Sequence, residues 1–392
     1  METQGENGKG GLRILLGGIP LGCDNIGDEA IVACVVKMLE ESLPDAEITV
    51  ATADPSTGPL LGVRTVPPFG FAGAGTAGFA AEVRRHDAYV WCGATGLSDY
   101  PGVALDLLET ALDAGVPAFV WGVGMDDELN PAFFKVRGKR RLALGCLGLA
   151  GWYERRLRAR LARRIAAILP RCRGVWLRDP ESAAMLAATG FPGADVAADT
   201  AILLDPPQAK PAGKTGPELG LCISTQRQVA DMEGLARAIA DFRAAGVRVT
   251  GIPMNRKTDR ALMEKMGVEC IEGDTPQAVV EAAARCDAVL SSRLHLLILA
   301  ANAGTQIFGI ARGSKLANWL ANFGRTVEGS VDRCDWPRVT ERVLAAIADR
   351  GGWDAVRDAA YAKLRARLSK ARAAFTARLE ECRRPAGAGK RP

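Results

Sequence analysis

The chain has 392 residues, 48% of them hydrophobic, 24% charged and 6% aromatic, with a formal net charge of +5. That length suits two domains with cores of their own, and the even mixture of apolar and charged residues excludes a disordered chain and a fibre. No run approaches the roughly 18 apolar residues of a membrane-spanning helix, and residues 1–11 lack the charged-then-apolar layout of a secretory signal, so the expectation is a cytoplasmic protein.

The first half alternates apolar strand-like runs with helical stretches. Residues 13–19 read as a buried strand, and 27–42 as a helix with Ile31, Cys34, Val35 and Met38 at helical spacing. Strands at 47–52 and 88–92, a helix at 103–114 and a strand at 118–123 follow; after a long helical region, 174–177 is another short strand. Continuous apolar strands separated by helices imply a parallel sheet covered on both faces. The proline-, glycine- and lysine-rich stretch 205–217 cannot form a packed element and marks a linker. Beyond it the alternation restarts, with strands at 219–224, 247–252, 288–291 and 306–310 and helices at 232–244 and 276–285. The expected fold is α/β: two doubly wound, Rossmann-like domains facing a cleft, at 12–204 and 218–350. A helix at 351–384 then packs back on the first domain, and a disordered tail occupies 385–392.

The ten cysteines are scattered with no C-x-x-C pair, which argues against a disulfide framework or a zinc knuckle. With two histidines, His86 and His295, a histidine-rich metal site is excluded. No protein-held metal or cofactor is expected, although carboxylate-bound magnesium stays open.

Three turns carry candidate chemistry. The segment Gly17-Gly-Ile-Pro-Leu-Gly-Cys-Asp-Asn-Ile-Gly-Asp-Glu-Ala30 joins the first strand to the first helix. Its glycines let backbone amides approach a ligand, and a helix start offers unpaired N–H groups. The glycine spacing misses the dinucleotide fingerprint, and Asp28 and Glu29 would repel a pyrophosphate, so a nicotinamide site is rejected. Simple capping by Asn25 or Asp28 is the alternative. Ser291-Ser-Arg-Leu-His295 lies at the carboxyl end of a central strand, where doubly wound sheets bind ligands. There Arg293 can grip a carboxylate or phosphate, and His295 can exchange a proton near neutrality. In Trp176-Leu-Arg-Asp-Pro-Glu-Ser182, Asp179 caps a helix opened by Pro180, which leaves Arg178 as a candidate ligand-binding cation. Lys315, at the start of the helix after 306–310, is a further one.

These features together resemble the polysaccharide pyruvyl transferase family over roughly residues 13–325. The match is carried by Asn25-Ile-Gly-Asp-Glu-Ala30, Cys92-Gly-Ala-Thr-Gly-Leu-Ser-Asp99, Arg178-Asp179 with Ser182, Asp199-Thr-Ala201 and Arg293-Leu-His295. Where the family usually has a glycine triplet ending in serine, this chain has Cys92-Gly93-Ala94-Thr95. The resemblance implies a glycosyltransferase-B-like fold. It also implies transfer of the pyruvyl group of phosphoenolpyruvate to two hydroxyls of a sugar or glycan, leaving a cyclic ketal and free phosphate. On that reading Arg178, Arg293 and Lys315 bind the anionic donor, with Asn25, Gly27, Glu29 and Thr95 as further substrate-binding positions. His295 is then the acid, and Asp99 or Asp28 accepts a hydroxyl proton. A nucleotide-sugar glycosyltransferase and a non-catalytic glycan- or phosphometabolite-binding member are the competing readings.

Residues 135–178 hold fourteen Arg and Lys against one acid, Glu154. Within them Leu157, Leu161, Ile165 and Ile168 recur at helical spacing among arginines. Two readings stand side by side: a basic helix lying on an anionic membrane that holds lipid-linked acceptors, or a helix packing its apolar stripe on the domain. Few stacking aromatics accompany the charge, so nucleic acid is not expected as a partner.

Overall fold

A computed structural model describes residues 11–99, 101–127, 148–207, 216–224 and 229–384. Among the described residues two compact units emerge: those within 1–23, 35–199 and 367–392 form the first, and those within 24–34 and 200–366 the second. The expected tail, 385–392, lies outside the described residues, as do 208–215 of the linker and 135–147 of the basic stretch.

The first unit is built on a seven-stranded sheet. Its strands are β1 (Arg13–Gly17), β2 (Glu47–Ala51), β3 (Arg64–Val66), β4 (Ala88–Cys92), β5 (Ala118–Val123), β6 (Gly174–Leu177) and β7 (Asp195–Val196), in the order β3-β2-β1-β4-β5-β6-β7. All pairings are parallel, with Ile14 opposite Ile48 on one side and Ala88 on the other. Every residue of β4, β5 and β6 is buried, as a central strand covered on both faces requires. The covering helices are α1 (Ile26–Ser42), which counts with this unit from Val35 on, three short ones, α2 (Thr57–Leu61), α3 (Phe79–Val83) and α4 (Gly96–Asp99), then α5 (Pro101–Asp113), α6 (Ala150–Ile168) and α7 (Pro180–Ala188).

Helix α6 puts Leu161, Ile165 and Ile168 into the core of this unit, with Leu157 packed against it. Of the two readings of this basic helix, packing on the domain accounts for the whole aliphatic stripe. Among its arginines, Arg164 reaches Asp106 and Glu109 of α5 at 2.7 and 3.1 Å.

The second unit carries a six-stranded sheet: β8 (Glu218–Cys222), β9 (Arg248–Gly251), β10 (Ala288–Ser291), β11 (Gln306–Ala311), β12 (Gly329–Ser330) and β13 (Arg333–Cys334), ordered β13-β12-β11-β10-β8-β9. Only the terminal β12–β13 pair is antiparallel. Its helices are α8 (Met232–Ala244), α9 (Thr258–Lys265), α10 (Pro276–Arg285), α11 (Leu294–Asn302), α12 (Ser314–Ala321) and α13 (Trp336–Ala348). Caps fix three of them: Asp231, Thr275 and Asp335 each accept a backbone N–H of the following first turn. The final helix, α14 (Trp353–Glu380), counts with the second unit through Ala366 and with the first from Arg367. In the first unit its Phe375 is fully buried, stacked on Trp121 with centroids 4.5 Å apart and set edge-on to Phe119 and Trp176.

Strand order reverses direction between β1 and β4 in one sheet and between β8 and β10 in the other. Such switch points open a crevice at the carboxyl ends of the strands. The Cys92–Thr95 turn leaves β4 at the first, and the Ser291–His295 turn leaves β10 at the second.

Candidate functional site

In the second unit, two motifs far apart in sequence come together. Arg293 is the N-cap of α11, held in an extended conformation. Ser291, at the end of β10, makes that turn: its Oγ accepts from Arg293 N at 2.8 Å and donates to Arg293 O at 3.1 Å. The guanidinium is only 12% exposed and lies against Asp259 of α9, which is fully buried. Nε donates to Asp259 Oδ2 at 2.9 Å and Nη2 to Oδ1 at 2.8 Å. Burial works against the charge on Arg293, but the bonds to Asp259 and the fields of Asp259 and Asp28 outweigh it and raise its pKa. Arg293 is therefore cationic.

The segment 24–34 reaches the same place. Asn25 and Asn255 form an antiparallel bridge, Ile26 N donates to Met254 O at 3.0 Å, and Arg256 N donates to Asp24 O at 3.1 Å. Asn25 shapes the start of α1: its Oδ1 accepts from Gly27 N at 3.2 Å, and its Nδ2 donates to the buried Asp28 carboxylate at 2.8 Å. Gly27 faces the ring of half-buried His295, and a Cβ added there would fall 2.4 Å from Nδ1. Five candidates, Asn25, Gly27, Asp28, Arg293 and His295, are thus neighbours. Glu29 has a different engagement, since its two carboxylate oxygens take Nη1 and Nη2 of Arg256 at 2.5 and 2.6 Å. Lys315 sits in the first turn of α12, half-buried, at the carboxyl end of β11 beside β10. Nearby, Arg312 Nη1 donates to Ser224 Oγ at 3.0 Å, and Ser224 N to Ser292 Oγ at 2.7 Å.

In the first unit, Thr95 and Asp99 follow the carboxyl end of β4 and Arg178 follows that of β6, the strands on either side of β5. Thr95 O accepts from Ser98 N and Asp99 N at 3.0 and 2.8 Å, which starts α4 and leaves Asp99 half-buried at its end. Ser98 Oγ accepts from Asp126 N at 3.0 Å. Arg178 is buried and packs its guanidinium against bare Gly124, where a Cβ would come 2.7 Å from Cζ. Its Nε donates to Asp179 at 2.9 Å. Asp179 also caps α7 by accepting from Ser182 N at 2.7 Å. Burial disfavours the charge of Arg178, but the fields of Asp179, Asp199 and Asp126 prevail and raise its pKa. Among the described residues no group of three His, Cys, Asp or Glu side chains is placed to hold a metal ion.

Sequence reasoning missed Asp259, Arg256 and Asp126. Asp259 looks like an ordinary first-turn acid of a short helix, and nothing in its neighbourhood advertises an arginine 34 positions away. The one available signal for Asp126 is its place just past the apolar run of β5.

Two Rossmann-like units in one chain, each with its candidate residues at the carboxyl ends of its strands, define the glycosyltransferase-B class. The model of the polysaccharide pyruvyl transferase family matches residues 25–314, and the chain belongs to that family. The solved structures it resembles share the fold. HepE from Anabaena in complex with UDP and glucose is 13% identical, with TM-score 0.59, 94% of this chain and 100% of that chain covered. The UDP-GlcNAc 2-epimerase of Neisseria meningitidis bound to UDP-GlcNAc is 11% identical, with TM-score 0.56 and coverage of 94% and 98%. MnaA from S. aureus with UDP is 10% identical, with TM-score 0.55 and coverage of 88% and 90%. No curated protein matches the sequence.

Proposed function

We propose that this protein transfers the pyruvyl group of phosphoenolpyruvate to two hydroxyls of a sugar in a polysaccharide or lipid-linked glycan, with a pyruvate ketal and inorganic phosphate as products. Besides family membership, the observation that carries the reading is the convergence of Arg293, His295 and Asp28 around Gly27. It sets a permanent cation beside a proton donor and a proton acceptor. Phosphoenolpyruvate is a compact anion with a carboxylate next to a phosphate, and guanidinium groups match both.

In the proposed reaction Arg293 and Lys315 hold the donor, and Arg178 and Thr95 are the substrate-binding residues of the first unit. His295 delivers a proton to the methylene carbon, which becomes the methyl group. A sugar hydroxyl adds to the central carbon while Asp28 takes its proton. Phosphate leaves as the second hydroxyl closes the ring; the proton of that hydroxyl goes out with the phosphate. Two hydroxyl protons are lost overall: one leaves on phosphate, and the other, passed from the carboxylate back to His295, replaces the proton given to carbon. Fixed charges and positioning supply most of the rate gain.

The test is incubation with phosphoenolpyruvate and a glycan panel, read by mass spectrometry for the pyruvyl adduct and by phosphate release. His295→Ala and Arg293→Lys should abolish or strongly reduce release, and wild-type rates in both would overturn the assignment. A thermal-shift arm with a UDP-sugar tests the glycosyltransferase alternative, which predicts stabilisation by the nucleotide instead.

The same reading puts the reaction at the cytoplasmic face of a membrane, where a lipid-linked acceptor would be met. No described helix is long and apolar enough to cross a membrane. What supports peripheral contact is the outer face of α6, where Leu149, just before the helix, and Trp152 are 41% and 49% exposed. Arg155, Arg156, Arg158, Arg160 and Arg163 are exposed on the same helix. Flotation with anionic liposomes should retain the protein, and partitioning that ignores lipid charge would remove this element.

A further inference from the structure

We propose that Asp259 is a positioning residue of the donor site, fixing which edge of the Arg293 guanidinium an anion meets. The inference rests on the phosphoenolpyruvate reading and adds to it a residue that the family motifs noted above do not contain.

Asp259 is pinned from three directions. Its Oδ2 accepts from Asn255 N at 2.9 Å, from Arg293 Nε at 2.9 Å and from the Cys222 thiol at 3.5 Å, while Oδ1 accepts from Arg293 Nη2 at 2.8 Å. Those donors come from the turn before α9, the N-cap of α11 and the end of β8. The carboxylate has no freedom to follow the arginine; the arginine must follow it. With Nε and one hydrogen of Nη2 engaged, the guanidinium can offer an anion only its far end, Nη1 and the other Nη2 hydrogen. A bidentate grip through that end is still available to a carboxylate or phosphate. The side-on grip through Nε is closed.

Two further observations argue that this pair is more than a structural ion pair. Burying a carboxylate and a guanidinium together gives little net stability over an apolar pair of the same size. And Asn255, which donates to Asp259, bridges Asn25 in the motif that also seats His295 through Gly27. Hydrogen bonds from Arg293 through Asp259 and Asn255 to the Asn25 bridge, and the close packing of Gly27 on the His295 ring, therefore link the cation to the proton donor.

The experiment is a double-mutant cycle with Asp259→Asn and Arg293→Lys, read as KM and kcat for phosphoenolpyruvate and as its binding by calorimetry. If Asp259 acts through Arg293, Asp259→Asn raises KM about tenfold with kcat changed much less, the pattern of lost uniform binding. In the Arg293→Lys background, where turnover is low, the same substitution then changes the dissociation constant from calorimetry less than about twofold. A merely structural Asp259 would lower the melting temperature and leave KM unmoved, or would weaken calorimetric binding equally in both backgrounds; either result overturns the proposal. Should Asp259→Asn not fold, Asp259→Glu keeps the buried charge paired while displacing the fork by a methylene, and the same rise in KM is expected. Wild-type KM in a folded Asp259→Glu overturns the proposal too. Wild-type protein that binds no phosphoenolpyruvate would bring down the functional reading itself. Binding that is intact in both wild type and Asp259→Asn leaves that reading standing and removes only the positioning role.

Discussion

Gly27 lies so close to the His295 imidazole that an added Cβ would stand 2.4 Å from Nδ1 and 2.7 Å from Cγ. Gly27 needs no unusual backbone, because it sits in the first turn of a regular helix. Its lack of a side chain serves the ring alone. On the proposed reaction, with His295 as proton donor, Gly27→Ala should fold, push the imidazole aside and lower phosphate release from phosphoenolpyruvate by about tenfold or more. The readouts are turnover and melting temperature together. Loss of both in proportion would point to a folding defect instead.

Ala94 occupies the left-handed region, at φ 60°, in the turn after β4. An L side chain there costs about 1–2 kcal/mol, partly offset by the greater flexibility glycine brings to the unfolded chain. The glycine that the family usually carries at this turn therefore suits the conformation better than alanine does. Ala94→Gly should raise stability by roughly 0.5–1 kcal/mol, measurable by urea denaturation. A loss of stability would mean that the methyl group has packing value that exceeds the strain.

Phe375 fills the aromatic cluster of Phe119, Trp121 and Trp176 in the first unit. Phe375→Ala should cost about 3–5 kcal/mol, the range for emptying a buried phenyl site. Denaturation followed by tryptophan fluorescence reports it directly, since two of the three neighbours are indoles. A cost below about 1 kcal/mol would show that the cluster is not closed by this ring.

His86 is buried with its ring on Glu82 O at 3.0 Å, and burial holds its pKa below the ordinary value. The unfolded chain takes up that proton first, near pH 6.5. The stability tied to neutral His86 is thus complete above about pH 6.5 and is lost as pH falls below it toward the folded-state pKa. Melting temperature should drop between pH 7 and 5, and His86→Gln should flatten that drop. An unchanged slope would assign it to other groups.

The sheets were legible because buried parallel strands are written as unbroken apolar runs. Residues 88–92, 118–123, 174–177 and 288–291 are strands over those spans. Short or exposed elements were not legible. β3 has one buried residue in three, and α9 is eight residues long. α13 was missed although Asp335 and Pro337 announce its start, so there the signal was present and unread. At the site, the turn of Arg293 and His295 and the Asn25 motif could be named from residue type and place after a strand. Their convergence could not, because it is made by a backbone bridge from Asn25 to Asn255 across 230 positions. For the same reason the role of Glu29 with Arg256 was invisible: both are polar loop-and-helix residues with no local pattern linking them.

The polypeptide passes between its two units at residues 23, 34, 199 and 366. Splitting the gene once, even at the stretch 205–217, would therefore yield no complete half. The leading fragment would lack Phe375 and leave Trp121 and Trp176 uncovered, while the trailing one would lack Gly27 and Glu29 and strand His295 and Arg256. Swapping a whole lobe with a relative requires exchanging non-adjacent stretches of coding sequence together.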